Sequence, residues 1–385
     1  MFHTAPLITF LSTMSLAVAL TGMVLSLMQA RDRVMFRVLA GFFFAIVLTE
    51  IGEALGPGIA HPPTRIVLNA VWIVGAASAL PLLWLYISML TSHRGQWPDR
   101  LWRHLISPGI ALALLIAAFS MSSADRNILF AEGEGALSAT GFALGAVFEA
   151  YALFLVIAQW LFYLILSARR LFRCRARLKH VFASTEGKEL RWVAAIIGIG
   201  GAYWLLGCVL MGLYFTGVIT DVPEVPEYAL NLIVSGILVV WGLRQRPNLM
   251  PDQATITCET HVKYAKSALT DEMAVRIGAK LKRAMTESQL HLDPNLSLWA
   301  LSKHVGVSDN YVSQVLNKEL GLNFFDFVNG YRVQEAQMRL TETDETILNI
   351  AYDIGFNSRS SFYTAFKKVT GETPTGFRRA AVCPN

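Results

Sequence analysis

Hydrophobic residues are distributed unevenly along this chain. Residues 1–246 contain seven long apolar runs, whereas residues 247–385 contain none. A helix that crosses roughly 30 Å of hydrocarbon needs about 20 predominantly apolar residues. The pattern therefore predicts seven membrane-spanning helices. The runs are 7–29, 34–56, 66–91, 104–122, 140–168, 192–217 and 226–243.

The basic residues between these runs predict their orientation. If the N-terminus lies outside, sixteen Lys and Arg residues fall on the inner side and only Arg65 and Arg126 on the outer side. Cytoplasmic loops of membrane proteins carry such an excess. We therefore expect a multi-pass protein of a bacterial-type cytoplasmic (inner) membrane, with everything after Arg246 in the cytosol. The basic segment 169–191 marks this topology and is a candidate contact for anionic membrane lipid.

Helical signals return after a polar linker at 247–269, beginning with a capping residue, Thr270. Residues 297–318 and 346–368 then share one pattern: a capping hydroxyl, a short helix, a glycine, a second capping hydroxyl and a second helix. This pattern is typical of a helix-turn-helix motif. Two ordinary helical hairpins in a small bundle remain the alternative. The caps and glycines are Ser297, Gly306, Ser308, Thr346, Gly355 and Ser358.

A helix of 17 residues, Phe324 to Leu340, is predicted between the two motifs. At 1.5 Å per residue it would be roughly 25 Å long. Successive major grooves on one face of a duplex lie about 34 Å apart. The widths of the flanking helices make up the difference, so one chain could place both motifs in consecutive grooves.

The C-terminal region also carries a specific set of positions, which continues beyond the second motif. They are Ile350, Ala351, Gly355, Phe356, Ser358, Ser360, Phe362, Phe366, Lys367, Gly371, Pro374, Phe377 and Arg378. Together with Ser308, Gly321, Phe324, Asn329, Arg332 and Ala336, they resemble the AraC/XylS-type DNA-binding domain over residues 271–380. Ser302 departs from the family, which usually has Ala there. The chain also resembles a subset of this family in which a multi-helix membrane domain precedes the DNA-binding domain.

The resemblance implies two recognition helices that read double-stranded promoter DNA. Arg suits guanine and Asn or Gln suits adenine, whereas contacts to phosphates position the protein without specifying sequence. Arg332 is expected to brace the connecting helix. The implied base-reading residues are Asp309, Asn310, Ser313, Gln314, Arg359, Ser360, Tyr363 and Thr364. Phosphate contacts are expected from Lys303, Ser308, Lys318, Ser358, Lys367 and Arg378. Turn and core positions are Gly306, Ala351, Gly355, Phe356, Phe362 and Phe366.

Three acidic residues of the membrane region form a possible signal site: Glu50, Glu53 and Glu149. Ionisable residues within hydrocarbon are costly and usually functional. The predicted orientation places all three near the outer side, with His61, Arg65, Tyr203 and Trp204 as possible neighbours. Such a site would sense a cation, a proton or a small amphiphile. The alternative is that Glu50 and Glu53 only reach the membrane surface.

Composition and charge narrow the remaining possibilities. Hydrophobic residues make up 54% of the chain and charged residues 16%, which excludes a disordered chain or a disulfide scaffold. The net charge of +5 arises within residues 1–270, because residues 271–385 contain 13 basic and 13 acidic residues. The excess therefore marks inner loops instead of a DNA-binding surface. Four scattered cysteines, Cys174, Cys208, Cys258 and Cys383, are expected to be free thiols.

These observations predict an all-α protein, a polytopic seven-helix membrane bundle (1–246) followed by a cytosolic AraC-type double helix-turn-helix domain (270–380) and a tail (381–385). We interpret it as a one-component transcription regulator that senses an unknown signal ligand and binds DNA as a homodimer. No metal, cofactor or enzymatic activity is expected, since zincin, esterase and P-loop motifs are missing. A seven-helix transporter or receptor whose C-terminal domain binds protein is the alternative. Proteolytic release of the DNA-binding domain also remains open.

Overall fold

The computed structural model describes residues 5–30, 34–59, 61–92, 97–98, 100–130, 135–184, 190–220, 225–244 and 269–382. These residues form helices, joined by turns, with no β-strand among them. The chain divides into an N-terminal unit (1–171 and 190–249) and a C-terminal unit (172–189 and 250–385). All but the last residue of the predicted linker, together with Cys258, Cys383 and the end of the tail, lies outside the described residues.

The N-terminal unit consists largely of long apolar helices. They are α1 (Ala5–Gln29), α2 (Met35–Leu55), α3 (Pro62–Ala70), α4 (Trp72–Leu90), α5 (Ile106–Ser120), α6 (Ser123–Phe130), α7 (Ala139–Phe154), α8 (Trp160–Val181), α9 (Arg191–Phe215) and α10 (Val225–Ile237). Turns of π-helix follow α7 and α10. Together these elements make six helical stretches that are long and apolar enough to cross a membrane. The run predicted at 104–122 forms only the 15-residue α5, which is shorter than such a span.

The helix predicted at 140–168 extends further than its apolar run. After the π-turn, α8 continues to Val181 through the basic residues Arg169 to His180. The apolar pattern ends at the first charges, but Arg, Leu and Lys are good helix formers and the backbone continues unchanged. The last residues of α8, from Phe172, belong to the C-terminal unit.

Helices α1, α2, α4 and α10 pack around one apolar core. Gly75 permits the close approach of α4 to α2, because a Cβ there would lie 2.5 Å from the carbonyl oxygen of Ala45. The Tyr86 hydroxyl donates to the carbonyl of Gly242 at 2.9 Å, which joins α4 to the turn after α10. The N-terminal unit is therefore a packed bundle with its own core.

Besides the end of α8, the described part of the C-terminal unit contains seven α-helices. They are α11 (Asp271–Thr286), α12 (Leu298–Val305), α13 (Asp309–Gln314), α14 (Phe324–Glu342), α15 (Ile347–Asp353), α16 (Arg359–Thr370) and α17 (Pro374–Val382). Predicted caps at Thr270, Ser297, Thr346 and Ser358 each accept a hydrogen bond from a backbone N–H three residues later. Ser308 occupies the N-cap position of α13, but its side chain makes no capping hydrogen bond.

Two groups of buried side chains hold this unit together. Leu298, Leu301, Val312, Val315 and Leu316 are buried around α12 and α13. A second cluster joins α14, α15 and α16. It includes the predicted core residues Ala351, Phe356, Phe362 and Phe366, each at most 3% exposed. Each motif is thus packed about its own apolar centre.

Candidate nucleic-acid interface and acidic cavity

Helices α12 and α13 form the first motif. They join at Gly306, whose φ of +68° is the left-handed conformation that favours glycine. On α13, Asn310 is exposed, and Asp309 and Ser313 are half-exposed. These three side chains are accessible to a ligand on the outer side of α13.

Gln314 is less accessible than these three side chains. Only 8% of it is exposed. Its implied base-reading role stays a prediction. The family position alone gave no information about this burial.

The second motif turns at Gly355, where the surrounding backbone leaves no room for a side chain. The residue has φ of +92°, and a Cβ there would lie 2.7 Å from the carbonyl oxygen of Leu292 and 2.9 Å from that of His291. Any larger residue would meet both backbone strain and backbone atoms. Gly355 therefore seats α15 against the segment that precedes α12.

The outer face of α16 carries a connected set of polar side chains. The guanidinium of Arg359 lies 5.0 Å from the ring centroid of Tyr363 and donates to its hydroxyl at 3.3 Å. That hydroxyl also hydrogen-bonds Thr375 at 3.2 Å. The hydrogen bond with Thr375, assisted by Arg359, lowers the pKa of the Tyr363 phenol. Ser360 and Thr364 are exposed on the same helix, so α16 presents a pre-positioned arginine among hydroxyl groups.

Three of the expected phosphate contacts are exposed lysines: Lys303, Lys318 and Lys367. Arg378 has a different environment. Its Nε donates to the carbonyl of Leu340 at 3.3 Å, and its Nη2 is buried. The side chain thus holds the C-terminal end of α14, and the expected phosphate contact by Arg378 stays a prediction.

Arg332 is fully buried within the C-terminal unit. Its Nε donates to the carbonyl of His291 and its Nη2 to that of Asp293, both at 2.7 Å. Burial lowers the pKa of Arg332 to about 10, so it remains cationic at neutral pH. As expected from the sequence, Arg332 braces α14, here against the segment before α12.

The family comparison concerns this same region. Residues 301–380 match the family model described as a helix-turn-helix domain. An HTH-type transcriptional regulator of Staphylococcus aureus (strain COL) is 39% identical over 126 residues, which cover 32% of this chain and 17% of the relative. The HTH-type transcriptional regulator YtdP of Bacillus subtilis is 28% identical over 116 residues, or 29% and 15% of the two chains. The matches thus span less than a fifth of these relatives.

Solved structures also match part of this chain. The C-terminal domain of AraT, a response regulator from Geobacillus stearothermophilus, is 30% identical and covers 30% of this chain and 88% of that one, with a TM-score of 0.25. A transcriptional regulator from Chromobacterium violaceum, described as containing an AraC-type DNA-binding domain, is 22% identical. It covers 29% of this chain and 99% of that one, with a TM-score of 0.27.

A segment that lies more than a hundred residues upstream packs against residues of the two motifs and of α14 within the C-terminal unit. The N–H of Ala183 donates to the carbonyl of Leu296 at 3.1 Å, and the Asn329 amide donates to the carbonyl of Ala183 at 3.4 Å. The Asn357 amide donates to the Ser184 hydroxyl at 3.0 Å. Sequence reasoning treated this stretch as a basic loop, since no local pattern reveals contacts between positions more than a hundred residues apart.

The three acidic residues of the suspected signal site line a single cavity in the N-terminal unit. Glu50 is fully buried, whereas Glu53 and Glu149 are exposed along the cavity. Tyr203 lines it as well, as expected from the sequence. Trp204 instead donates to the carbonyl of Ile157, and His61 contacts Thr64.

Proposed function

We propose that this protein is a membrane-embedded, one-component transcription regulator with an AraC-type DNA-binding domain. The observation that carries the proposal is the paired helix-turn-helix geometry, in which α13 and α16 each present polar side chains outward. The relatives named as HTH-type transcriptional regulators support it. The proposed base-reading residues are Asp309, Asn310, Ser313, Gln314, Arg359, Ser360, Tyr363 and Thr364. The proposed phosphate contacts are Lys303, Ser308, Lys318, Ser358, Lys367 and Arg378.

The N-terminal unit is the membrane domain in this proposal. Its six long apolar helices support membrane insertion, and α5 completes seven spans by thinning the bilayer locally. The charge asymmetry of the loops supports an N-terminus outside and a helix-turn-helix domain in the cytosol. The chain acts as a homodimer, in keeping with two-fold symmetric operators.

The signal acts at the cavity that Glu50, Glu53 and Glu149 line. To regulate, the ligand must bind two conformations of the chain with different affinity. The segment 182–184 transmits the conformational change caused by the ligand to the residues that bind DNA. It follows α8 directly in the chain and contacts residues beside both motifs, at Leu296 and Asn357.

Mapping of bound DNA in cells that express the full chain tests the DNA-binding proposal. We expect discrete sites with a shared sequence. Arg359→Ala should relax the preference at one base pair, because a bidentate arginine contributes about 1–3 kcal/mol of discrimination. Lys303→Ala, the control, should weaken all sites to a similar degree without changing the shared sequence. A folded full-length chain that enriches no sequence would contradict the proposal and favour a protein-binding domain.

A further inference from the structure

The cavity of the N-terminal unit is large enough to hold a small molecule. It encloses about 740 Å³ between α2, α4, α7, α9 and α10. Pockets for small-molecule ligands range from roughly 300 to 1,000 Å³. Packing defects in protein cores seldom exceed a water molecule in size. The volume therefore indicates a binding site.

One wall of the cavity holds a buried carboxyl group with an unsatisfied oxygen. Glu50 is 0% exposed, and its Oε1 accepts a hydrogen bond from the Asn231 amide at 2.8 Å. Its Oε2 is buried and has no hydrogen-bond partner among the described residues, although the Ser15 hydroxyl lies nearby. A buried polar oxygen without a partner is costly. A carboxylate oxygen can accept more than one hydrogen bond, so Oε2 can accept one from a ligand even with Ser15 beside it.

A second unsatisfied group lies on the same wall. The Ser235 hydroxyl is fully buried, lines the cavity, and has no hydrogen-bond partner in the described part of the chain. Ser235 follows Asn231 by four residues on α10, so both occupy one face of that helix. The amide that holds Glu50 and the free hydroxyl therefore converge on the same region.

The charged side chains along the cavity share one sign. Glu53, Glu149 and Glu227 line it together with Glu50, and the lining residues that the structure describes include no Lys, Arg or His. Such a wall attracts a cation and rejects an anion.

A bare metal ion does not fit these carboxylates. The described residues contain no group of three or more His, Cys, Asp or Glu close enough to hold a metal. The rest of the lining is apolar and aromatic. It includes Trp72, Trp160 and Tyr203, and the last two rings lie 6.0 Å apart. Aromatic faces stabilise organic cations and cover apolar groups.

We propose that this cavity binds a protonated amine that carries an apolar body. The N–H groups of the ammonium donate to Glu50 Oε2 and to the Ser235 hydroxyl, while the apolar body lies against the aromatic lining. The two unsatisfied acceptors favour an amine with N–H groups over a quaternary ammonium, which has none to donate. This inference deepens the proposed signal site and rests on that part of the proposed function, but the binding it describes needs no DNA.

Equilibrium binding to the full chain in nanodiscs of zwitterionic lipid tests the proposal. The probes are 2-phenylethylamine, tryptamine and octylamine, each compared with its trimethylammonium and alcohol counterparts. We expect saturable binding of at least one amine, with both counterparts about tenfold weaker or more. Glu50→Gln should weaken amine binding by at least about tenfold, and Ser235→Ala by a smaller factor.

Controls separate a lost site from a damaged protein. Glu50→Gln preserves the shape of the side chain, and its thermal unfolding should match that of the parent chain. Glu342→Gln removes an exposed carboxylate from α14 and should leave amine affinity unchanged. Absence of saturable binding by all three amines, equal binding of amines and alcohols, or full binding by a folded Glu50→Gln variant would each overturn the proposal. A chain that binds amine but no specific DNA would instead refute only the regulator function.

Discussion

Single residues decide whether the turns of the two motifs form, and Gly355 is the most constrained of them. Gly355→Ala would place a methyl group 2.7 Å from the Leu292 carbonyl oxygen at a φ of +92°. Strain and overpacking of this kind cost about 3 kcal/mol or more together. We expect the opening free energy of α15 and α16, measured by hydrogen exchange on the full chain, to fall by that amount.

Gly330→Ala is the matched control for this residue. Gly330 lies within α14, and a Cβ there would meet no atom within 4 Å. Alanine is a better helix former than glycine by about 1 kcal/mol, so this variant should be as stable as the parent or more so. Equal destabilisation by the two substitutions would show that Gly355 does not have the special role we assign.

At the residue scale, helix caps could be predicted from the sequence, whereas the environments of some surface residues could not. Thr346 and Ser358 could be assigned as caps because a cap depends on residues three positions away. The environments of Gln314 and Arg378 could not be predicted in this way, because they depend on distant packing. Gln314 is only 8% exposed, and Arg378 reaches the carbonyl of Leu340, 38 residues away.

At the scale of elements, helix existence followed from the apolar pattern, but helix ends and partners did not. The apolar pattern predicted an end at 168, whereas α8 continues to Val181. The docking of residues 182–184 could not be predicted, since it pairs Ala183 with Leu296 through backbone atoms that any sequence provides. The acidic cavity could be predicted in part. The sequence indicated its three carboxylates but not Asn231 or Ser235, which complete the wall.

The docked segment has a measurable dependence on Asn357. Asn357→Ala removes the hydrogen bond to Ser184, and a single hydrogen bond contributes about 1 kcal/mol. We expect the Ala183 amide, which donates to Leu296, to exchange with solvent roughly fivefold faster in the full chain. The control is Asn349→Ala on the exposed side of α15, where we expect no change at Ala183. Unchanged exchange in both variants would remove Asn357 from the docking contact.

At the scale of the whole molecule, the proposed DNA binding would have to arise without a net positive charge on residues 271–385. These residues include 13 basic and 13 acidic ones, so net charge adds no non-specific attraction to the duplex. Affinity then depends on both motifs binding at once, because the second contact is intramolecular after the first. Helix α14 sets their separation, and its 19 residues span about 28 Å.

Helical phasing of the DNA tests this joint binding. In a site identified by genome mapping, five base pairs inserted between the two half-sites rotate one by about half a turn, since a duplex repeats every 10–10.5 base pairs. Helix α14 has a fixed length and cannot follow that rotation. The affinity of the chain for DNA should therefore fall by about 100-fold, toward that of one motif alone. Gel-shift titration with the nanodisc-bound full chain measures the change. The same insertion outside the site should have no effect. Unchanged affinity after the internal insertion would mean that a single motif carries recognition.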